Sequence, residues 1–552
     1  MAIVPLKIME NRTVRKSQQT QIIKMLLTLQ EAHIELRKNI LPETAVFLLA
    51  DCQDFARQIG LIINSIEGEK VQTAALLEEY CDLVYDANTD ADGLVLTIQL
   101  QTHLVEIYKS VKRELKPDKI EAVFFPYQLS MWDSLESIYL AAIEDPHCEV
   151  YVVPIPWYEK RPDETLGESH YDGDRYPEYV PVTDWREYNT EERRPDIIFI
   201  HNPSDDQDYA TSVHPKFYSE RLWEHTELLC YCPYFVSLDD ITRDFAVTTG
   251  ATNSDKVFVQ SEKIRAGYIR EVEDFAMEVG RHDDTAGFPK KVVALGSPKY
   301  DRVIKPRLED LSIPDEWLHF VEKPDGSRKT TVLYNTSITA LLHGKEKMIE
   351  TLRQVFDIFR RRDDAVLWWR PHPLSSVVLK TMLPHLTDEY KRLVEEYTQE
   401  GFGIYDDTPH LHRSLQMTDI LYGDASSCAA LYQCMAKPVL IHNVTDLSSS
   451  SGNNATRADR TGNDEQSTGI DIETITRAKT NSSTKAAECL FIESNDGITP
   501  EHLLDILALP EQPAWLTDLL HKQKQLKLSE IANPDGTAGA AIWEYCRTAV
   551  LR

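Results

Sequence analysis

Apolar positions follow a helical period over the first part of the chain, from Thr13 to Leu115. They recur in alternating steps of four and three residues, which places them on one face of a helix. The two clearest repeats are Ile22, Leu26, Leu29, His33, Leu36 and Ile40, and then Leu48, Cys52, Phe55, Ile59, Ile62 and Ile66. Leu41-Pro42, Gly68 and the polar run "DANTDADG" interrupt the pattern. We therefore predict an N-terminal region of about four packed helices over residues 1–115, with no chemistry of its own.

After Lys116-Pro117-Asp118 the apolar runs become short and rich in β-branched and aromatic residues, as in buried strands. The first set is Ala122–Tyr127, Glu149–Ile155, Asp196–Pro203, Leu228–Phe235, Lys256–Ser261 and Lys291–Pro298. The second set is Thr330–Ser337, Ala365–Pro373, Gly403–Asp407, Asp419–Ser427 and Lys437–Ile441. Helix-compatible stretches separate many of these runs. Such alternation predicts parallel sheets with helices packed on their faces.

The predicted fold class is α/β, with two doubly wound Rossmann-like domains facing a cleft. We place the first domain at residues 116–311 and the second at 329–499, with a flexible polar loop at about 446–485 and closing helices at 500–552. The insert Tyr158–Arg194 is expected to form a surface loop beside the first sheet. Ligands of such sheets bind outside the carboxyl ends of the strands, which locates the functional site in the cleft.

Charge and cysteine content narrow the function classes. The formal net charge of −30 argues against nucleic acid as the partner and against simple attachment to an anionic membrane surface. The nine cysteines contain no Cys-x-x-Cys pair, so reduced core thiols are expected. The sequence has no run of 18 apolar residues and no signal-peptide pattern at its start, which predicts a cytoplasmic location.

Candidate chemistry lies at the ends of two strands of the second domain. "GDASS", Gly423 to Ser427, follows a strand and opens a helix, where hydroxyls and backbone N–H groups can receive an anion. The alternative is that the serines simply cap the helix. "WWRPHP" ends a buried strand in Arg370 and His372, and the flanking prolines hold this loop extended. A cation and an imidazole at this position suit a diphosphate; an ordinary surface turn is the alternative.

Four stretches in order resemble the CDP-glycerol glycerophosphotransferase family of teichoic-acid synthesis. They are "GSPKYD" at Gly296–Asp301, "VLYNTS" at Val332–Ser337, "RPHP" at Arg370–Pro373 and "TDILYGDASS" at Thr418–Ser427. The resemblance covers about Ala122 to Ile441. It implies a glycosyltransferase-B-like fold and attack of a polyol hydroxyl on the β-phosphorus of CDP-glycerol, with CMP leaving. It also implies action at the inner face of the plasma membrane, with peripheral membrane contact.

By this resemblance, donor-side positions are matched by His372, Asp424, Ser426 and Ser427. We add Ser297 and Arg370 as donor-binding candidates that we expect to line the same cleft. His372 is also a catalytic candidate. The family's His-Gly-Thr-Pro segment, which carries the presumed base, is replaced by "YCPYF" at Tyr231–Phe235. We therefore predict His201 as the general base, because "DIIFIHNP" delivers it from a strand end into the cleft. A histidine that only caps a turn is the alternative.

His214 is a second candidate for the base. Asp205 and Asp206 could orient an imidazole or hold a divalent cation that screens the diphosphate, but no metal site or cofactor is assigned. Lys299, Asn335 and Ala425 depart from the residues that the family usually carries.

Three hypotheses for the function stay open. The first is a transferase that moves a polyol phosphate from a CDP-activated donor to a polyol-phosphate or glycan acceptor. The second is a sugar-nucleotide glycosyltransferase or epimerase on the same frame, since all of these recognise a diphosphate. The third is a nucleotide-binding module that has lost catalysis. The acceptor, the choice between CDP-glycerol and CDP-ribitol, and the oligomeric state are left open.

Overall fold

The computed structural model describes residues 14–38, 42–67, 72–87, 93–115, 117, 119–161, 163–281, 285–442, 491–492, 499–507 and 512–551. The predicted flexible loop at about 446–485 lies outside these residues. The described chain forms a helical N-terminal region, two α/β domains and a set of C-terminal helices.

The N-terminal region consists of four helices. They are α1 (Lys16–Leu36), α2 (Pro42–Glu67), α3 (Gln72–Ala87) and α4 (Gly93–Glu114). In α1 the predicted apolar stripe is buried at Ile22, Leu26, Leu29 and His33. In α2 the buried positions are Leu49, Cys52, Ala56, Ile59 and Ile63. Three of the predicted positions, Leu48, Phe55 and Ile62, each lie one residue before a buried position. Their side chains are partly covered, because they lie at the edge of the buried face of the helix.

The first domain contains a six-stranded sheet in the order β2-β1-β5-β7-β8-β9, and all neighbouring strands are parallel. Its elements begin with β1 (Ile120–Phe125), α5 (Glu136–Ile143), β2 (Cys148–Val152), β3 (Trp157–Lys160), β4 (Leu166–His170), α6 (Thr190–Arg193), β5 (Ile197–Ile200), β6 (Thr211–Val213) and α7 (Ser219–Glu224). They continue with β7 (Leu228–Tyr231), α8 (Arg243–Ala246), α9 (Thr249–Asn253), β8 (Lys256–Val259), α10 (Glu262–Glu278), α11 (Phe288–Lys291), β9 (Val292–Ala294), α12 (Pro298–Ile304) and α13 (Asp315–Val321).

The insert after β2 is more ordered than the sequence predicts. Strands β4, β3 and β6 form a small antiparallel sheet, in which Trp157 pairs with His170 on one side and with Val213 on the other. The expected surface loop is therefore partly a hairpin. Its strand "LGESH" carries little apolar alternation, and for this reason the sequence pattern did not reveal it.

The second domain contains a six-stranded parallel sheet in the order β12-β11-β10-β13-β14-β15. Its elements are β10 (Thr330–Thr336), α14 (Ile338–Gly344), α15 (Glu346–Arg360), β11 (Ala365–Pro371), α16 (Ser375–Met382), α17 (Thr387–Glu400), β12 (Ile404–Tyr405), α18 (Leu411–Met417), β13 (Ile420–Gly423), α19 (Ser427–Gln433), β14 (Val439–Ile441) and β15 (Phe491–Ile492). In order along the chain these strands are arranged 3-2-1-4-5-6, the doubly wound order, and the switch point lies between β10 and β13. The predicted fold class of two Rossmann-like domains is confirmed.

The C-terminal helices connect the second domain back to the first. They are α20 (Pro500–Leu507), α21 (Ala514–Glu530) and α22 (Ala538–Leu551). Helix α21 packs against α19, whereas Ile542, Trp543 and Cys546 of α22 lie in the same apolar core as Phe124 and Phe199 of the first sheet. Asp301 accepts hydrogen bonds from the N–H groups of Ala538 and Gly539 at 3.0 and 2.8 Å and so fixes the start of α22. The first domain is thus completed by residues that follow the second.

Short 3-10 helices occupy several loops. One of them, Leu129–Ser134, follows β1 and lies at the carboxyl edge of the first sheet. The others are Gly173–Arg175, Pro215–Phe217, Leu308–Leu311 and Pro384–Leu386. No helix among the described residues is both long enough and apolar enough to cross a membrane.

Candidate functional site between the two sheets

The carboxyl edges of the two sheets meet across the domain boundary. The loop after β7 touches the start of α19, where the Ser427 hydroxyl donates to the Val236 carbonyl at 2.9 Å and accepts from the Val236 N–H at 3.2 Å. The loop after β1 reaches α18, where His412 Nε2 lies 2.8 Å from Asp133 Oδ2. A ligand held at either edge therefore faces the other domain.

The switch point of the second sheet is tightly constructed around Gly423. Gly423 has a φ of +151°, and a Cβ atom there would lie 2.3 Å from the Asn335 carbonyl oxygen, so only glycine fits between β10 and β13. Asp424 then turns back to accept the Ser337 N–H at 2.7 Å. The Ser426 hydroxyl donates to Asn335 Oδ1 at 3.1 Å and makes no capping bond to α19. Ser426 is thus not the simple helix cap that was the alternative.

Asp424 is buried and carries a perturbed carboxyl group. Burial raises its pKa to about 6, although the hydrogen bond from Ser337 opposes this shift. Near neutral pH the group is therefore close to its titration point, unlike an exposed aspartate.

His372 uses one ring nitrogen, Nδ1, in a contact within its own loop. Its backbone N–H donates to the Thr336 carbonyl at 3.1 Å, and its Nδ1 accepts the Leu374 N–H at 3.2 Å. Burial, helped by the neighbouring charges of Arg370 and Lys299, lowers the pKa of His372 to about 4, so the ring is neutral near pH 7. Because Nδ1 is an acceptor, the proton of the neutral ring must be on Nε2. His372 therefore offers an N–H donor, which suits a phosphate oxygen.

The other predicted donor-binding residues make contacts within the protein. The Arg370 guanidinium lies 2.7 Å from Asp406 Oδ2 and donates to the Thr408 carbonyl at 2.7 Å. Ser427 bonds to Val236, as described above. Ser297 caps α12 by accepting the Lys299 N–H at 3.4 Å. The structure thus groups Asp424, Ser426 and His372 at one edge, and it gives Arg370, Ser427 and Ser297 supporting positions around them.

The predicted general base, His201, lies at the carboxyl end of β5 as expected, but its ring is fully buried. Its Nε2 accepts the Tyr127 N–H at 2.9 Å, and its Nδ1 lies 2.9 Å from Ser134 Oγ and 3.1 Å from the Met131 carbonyl. Burial lowers its pKa to about 3. Both nitrogens tie the loop after β1 to β5, so the geometry corrects the expectation of a free imidazole in the cleft. The catalytic role of His201 remains a prediction.

The remaining candidates of the first domain also have structural contacts. His214 Nδ1 accepts the Lys216 N–H at 3.1 Å, and the ring packs against Trp185. Asp205 Oδ2 accepts from the N–H and the hydroxyl of Ser219 at 2.9 and 2.6 Å, while Asp206 is exposed. Asp205 therefore caps α7, and the pair does not converge on a cation position.

Glu159, Glu168 and His170 are the described group that could hold a metal ion, with ligand atoms within 4.8 Å of one another. They lie on the β3–β4 hairpin. The ammonium group of Lys380 lies 3.2 Å from Glu159 Oε1 and already supplies a positive charge there. No cofactor is implied by this cluster.

A charged cluster that sequence reasoning missed links the two domains. Lys299 Nζ lies 2.7 and 2.6 Å from the two oxygens of Asp133, and His412 Nε2 binds the same carboxylate. Burial alone would raise the pKa of Asp133, but Lys299 and His412 outweigh it and hold the pKa well below its usual range. Lys299 stood within the "GSPKYD" stretch, whereas nothing in the sequence connected it with Asp133 or His412.

The fold and site define a two-domain α/β protein with an imidazole and hydroxyl groups at the carboxyl edge of its second sheet and a buried ion-pair cluster at the domain boundary. No protein-family model matches the sequence, and no curated protein sequence matches it. Solved structures similar in fold include the wall teichoic acid polymerase TagF in a form soaked with CDPG, at 13% identity and a TM-score of 0.41, covering 88% of this chain and 98% of that one.

Two further solved structures of similar fold hold uridine nucleotides. S. aureus MnaA in complex with UDP shows 11% identity and a TM-score of 0.43, covering 79% of this chain and 97% of that one. UDP-GlcNAc 2-epimerase from Neisseria meningitidis, bound to UDP-GlcNAc, shows 11% identity and a TM-score of 0.43, covering 78% of this chain and 100% of that one. At these identities and TM-scores the likeness concerns the fold alone, so the function must come from the side chains of the cleft.

Proposed function

We propose that this protein is a transferase that moves glycerol phosphate, or a related polyol phosphate, from a CDP-activated donor to a hydroxyl acceptor. The acceptor oxygen would bond to the β-phosphorus, the bond from that phosphorus to the bridging oxygen would break, and CMP would leave. The acceptor hydroxyl would lose its proton to a base. The polymer served would be a cell-wall or surface polymer.

The observation that carries this proposal is the meeting of four separated motif stretches at strand carboxyl ends. Gly296–Asp301 follows β9, Val332–Ser337 covers β10 from Val332 onward and the next residue, and Arg370–Pro373 includes the end of β11. Thr418–Ser427 covers β13 and the first residue of α19. Stretches spread over more than a hundred residues thus lie at the strand ends where α/β proteins bind ligands, which supports the proposal.

The chemistry of these side chains suits a diphosphate. His372 Nε2–H can donate to an anionic oxygen, and a hydrogen bond to a charged group is stronger than one to a neutral group. Ser426 can add its hydroxyl by leaving Asn335. Asp424 and Gly423 shape the turn that presents both groups, and Arg370 holds the neighbouring strand end through Asp406.

A second candidate function, a nucleotide-binding module without catalysis, is favoured by one observation. His201, the predicted base, has both ring nitrogens engaged, and the loop after β7 offers Cys232, Pro233 and Tyr234 instead of a histidine. Such a module would keep the donor edge and lack proton transfer.

The test is a thermal-shift panel of CDP-glycerol, CDP-ribitol, UDP-sugars and CMP, followed by an assay of CMP release with a polyol-phosphate acceptor. We expect the largest stabilisation with a CDP-polyol and CMP release that requires acceptor. Stabilisation by a CDP-polyol without CMP release would support the module. Stabilisation by UDP-sugars alone would contradict a CDP donor and support the sugar-nucleotide alternative.

A further inference from the structure

The amide side chain of Asn335 lies at the centre of the donor edge. Asn335 stands near the end of β10, the strand between β11 and β13, and it pairs in register with Arg370 on one side and Gly423 on the other. Its Nδ2 donates to the Arg370 carbonyl at 3.2 Å, and its Oδ1 accepts from the Ser426 hydroxyl at 3.1 Å. One buried residue, 8% exposed, therefore joins the two loops that carry the predicted donor-binding residues.

These two hydrogen bonds fix the position of the Ser426 proton. A backbone carbonyl only accepts hydrogen bonds, so the amide of Asn335 must turn its nitrogen toward Arg370. The amide oxygen then faces Ser426. Because an amide oxygen also only accepts, the hydroxyl proton of Ser426 lies on that bond. The Ser426 oxygen keeps lone pairs and has no second proton to give, so toward a ligand it is an acceptor.

Ser426 lies where a ligand has access to it. The residue is half-buried next to the exposed Ala425, and its hydroxyl makes no capping bond to α19. The next residue, Ser427, bonds to Val236 of the first domain, which places this turn at the boundary between the two sheets. A ligand bound at this boundary can therefore contact Ser426 while the bond to Asn335 stays in place.

A phosphate oxygen is a poor partner for this hydroxyl, whereas a ligand hydroxyl is a good one. A phosphate oxygen and the Ser426 oxygen are both acceptors, so a hydrogen bond between them requires the proton to leave Asn335. Asn335 Oδ1 would then be buried without this donor, and an unsatisfied buried acceptor is costly. A ligand O–H can donate to Ser426 without any such change. His372 is the complementary group, since its Nε2–H suits the phosphate itself.

We propose that Ser426 is a specificity-determining residue that accepts a hydrogen bond from a hydroxyl of the donor nucleotide, and that Asn335 is the positioning residue that holds the Ser426 proton away from the ligand. This inference rests on the proposed function, because the hydroxyl is one of a CDP-polyol. Such a donor carries hydroxyls on its ribose and on its polyol, and the experiment distinguishes these two sources. The edge thus recognises the donor with two opposite groups, an N–H for the phosphate and an oxygen for a hydroxyl.

The experiment measures dissociation constants of the full chain by isothermal titration calorimetry. The ligands are CDP-glycerol, inorganic pyrophosphate and two analogues of CDP-glycerol that each lack one set of hydroxyls. CDP-propanol has no free hydroxyl on its three-carbon chain, and 2′,3′-dideoxy-CDP-glycerol has none on its ribose. We expect wild type to bind one analogue about 2- to 12-fold more weakly than CDP-glycerol, which is the loss of one neutral hydrogen bond. The analogue that binds more weakly identifies the source of the hydroxyl.

Variants test the direction of the hydrogen bond. Ser426→Ala should bind CDP-glycerol about 2- to 12-fold more weakly but the weaker analogue as well as wild type does, so that the preference between them disappears. Its affinity for pyrophosphate should not change. Asn335→Leu should lose the same preference, because the proton is no longer held; Ser426→Ala decides alone if this variant does not fold. Ser327→Ala is the matched control, because Ser327 precedes the opposite end of β10, is exposed and donates to Asp325 at 2.6 Å.

The outcomes distinguish this inference from the proposed function. Equal binding of CDP-glycerol and both analogues by wild type, or a Ser426→Ala variant that keeps the preference and loses affinity for pyrophosphate, overturns the inference and leaves the function standing. A folded Asn335→Leu that keeps the full preference overturns the role of Asn335. If UDP-glucose binds and no CDP-polyol does, the function is contradicted, and the same comparison with 2′,3′-dideoxy-UDP-glucose decides the inference. Failure of every nucleotide to bind overturns both.

Discussion

Replacing His372 tests the donor site with a change of one hydrogen bond. The neutral ring carries its proton on Nε2, because Nδ1 accepts the Leu374 N–H at 3.2 Å. A hydrogen bond from this N–H to an anionic phosphate oxygen is worth about 1.5–3 kcal/mol, so His372→Ala should weaken donor binding roughly 10- to 150-fold. His372→Gln can place an N–H near the same position and should recover most of that loss. Affinity is measured by calorimetry with CDP-glycerol.

The fold should survive both changes. His372 is only half-buried, and its side chain contributes one neutral hydrogen bond, worth about 1 kcal/mol. The matched control is His385→Ala, since the His385 ring is exposed and its Nε2 lies 3.1 Å from Glu346; it should leave affinity unchanged. If His372→Gln binds the donor as poorly as His372→Ala while both melt near the wild-type temperature, His372 does not act as an N–H donor.

Three further outcomes follow from the geometry. Gly423→Ala should destabilise the protein by about 3 kcal/mol or more, because the added Cβ would collide with the backbone of Asn335. Gly280→Ala should destabilise it by about 1 kcal/mol, because Gly280 has a φ of +70° but no atom within 4 Å of the added Cβ. Thermal unfolding of the two variants measures the difference. His201→Gln should lower the melting temperature, since the ring joins two loops; an intact fold with turnover reduced ~10²-fold or more would instead support its role as base. Burial raises the pKa of Asp196 to about 7 from an unfolded value near 4. The charged carboxylate therefore destabilises the folded state above pH 7, and this effect is absent below pH 4, where the group is protonated in both states. Asp196→Asn should therefore raise the melting temperature at pH 8, and a gain that persists unchanged at pH 4 would contradict this cause.

The hydrophobic pattern was sufficient for most of the fold. Every run proposed as a strand of the two parallel sheets overlaps one, because buried parallel strands are nearly continuous apolar runs with little ambiguity. The hairpin of β3 and β4 was not predicted, because its strands show no alternation of apolar and polar residues. Strand β15 was not predicted either; it is a two-residue strand that follows the long polar segment after Asn443.

The site was only partly predictable. Asp424, Ser426 and His372 could be proposed because each follows an apolar run and carries suitable chemistry. The side-chain direction of Arg370 could not be predicted. Its partner Asp406 follows a different strand, and the local sequence pattern does not show whether the guanidinium binds a neighbouring carboxylate or a ligand. The cluster of Asp133 and His412 joins residues 279 positions apart, a contact that only the packed domains create.

The return of the chain to the first domain has a consequence for synthesis. The core that contains Phe124 and Phe199 is filled by Ile542 and Trp543 of α22. Asp301 accepts hydrogen bonds from the N–H groups at the start of that helix. During translation, the first domain therefore emerges early but lacks part of its core until more than two hundred further residues have been made. The second domain uses the C-terminal helices that precede α22, since Leu516 and Leu520 of α21 lie in one core with Tyr334 and Trp369, and it can therefore be completed before α22 is made. A ribosome-bound chain should thus acquire its structure out of sequence order, with the earlier domain held incomplete and dependent on protection until α22 arrives.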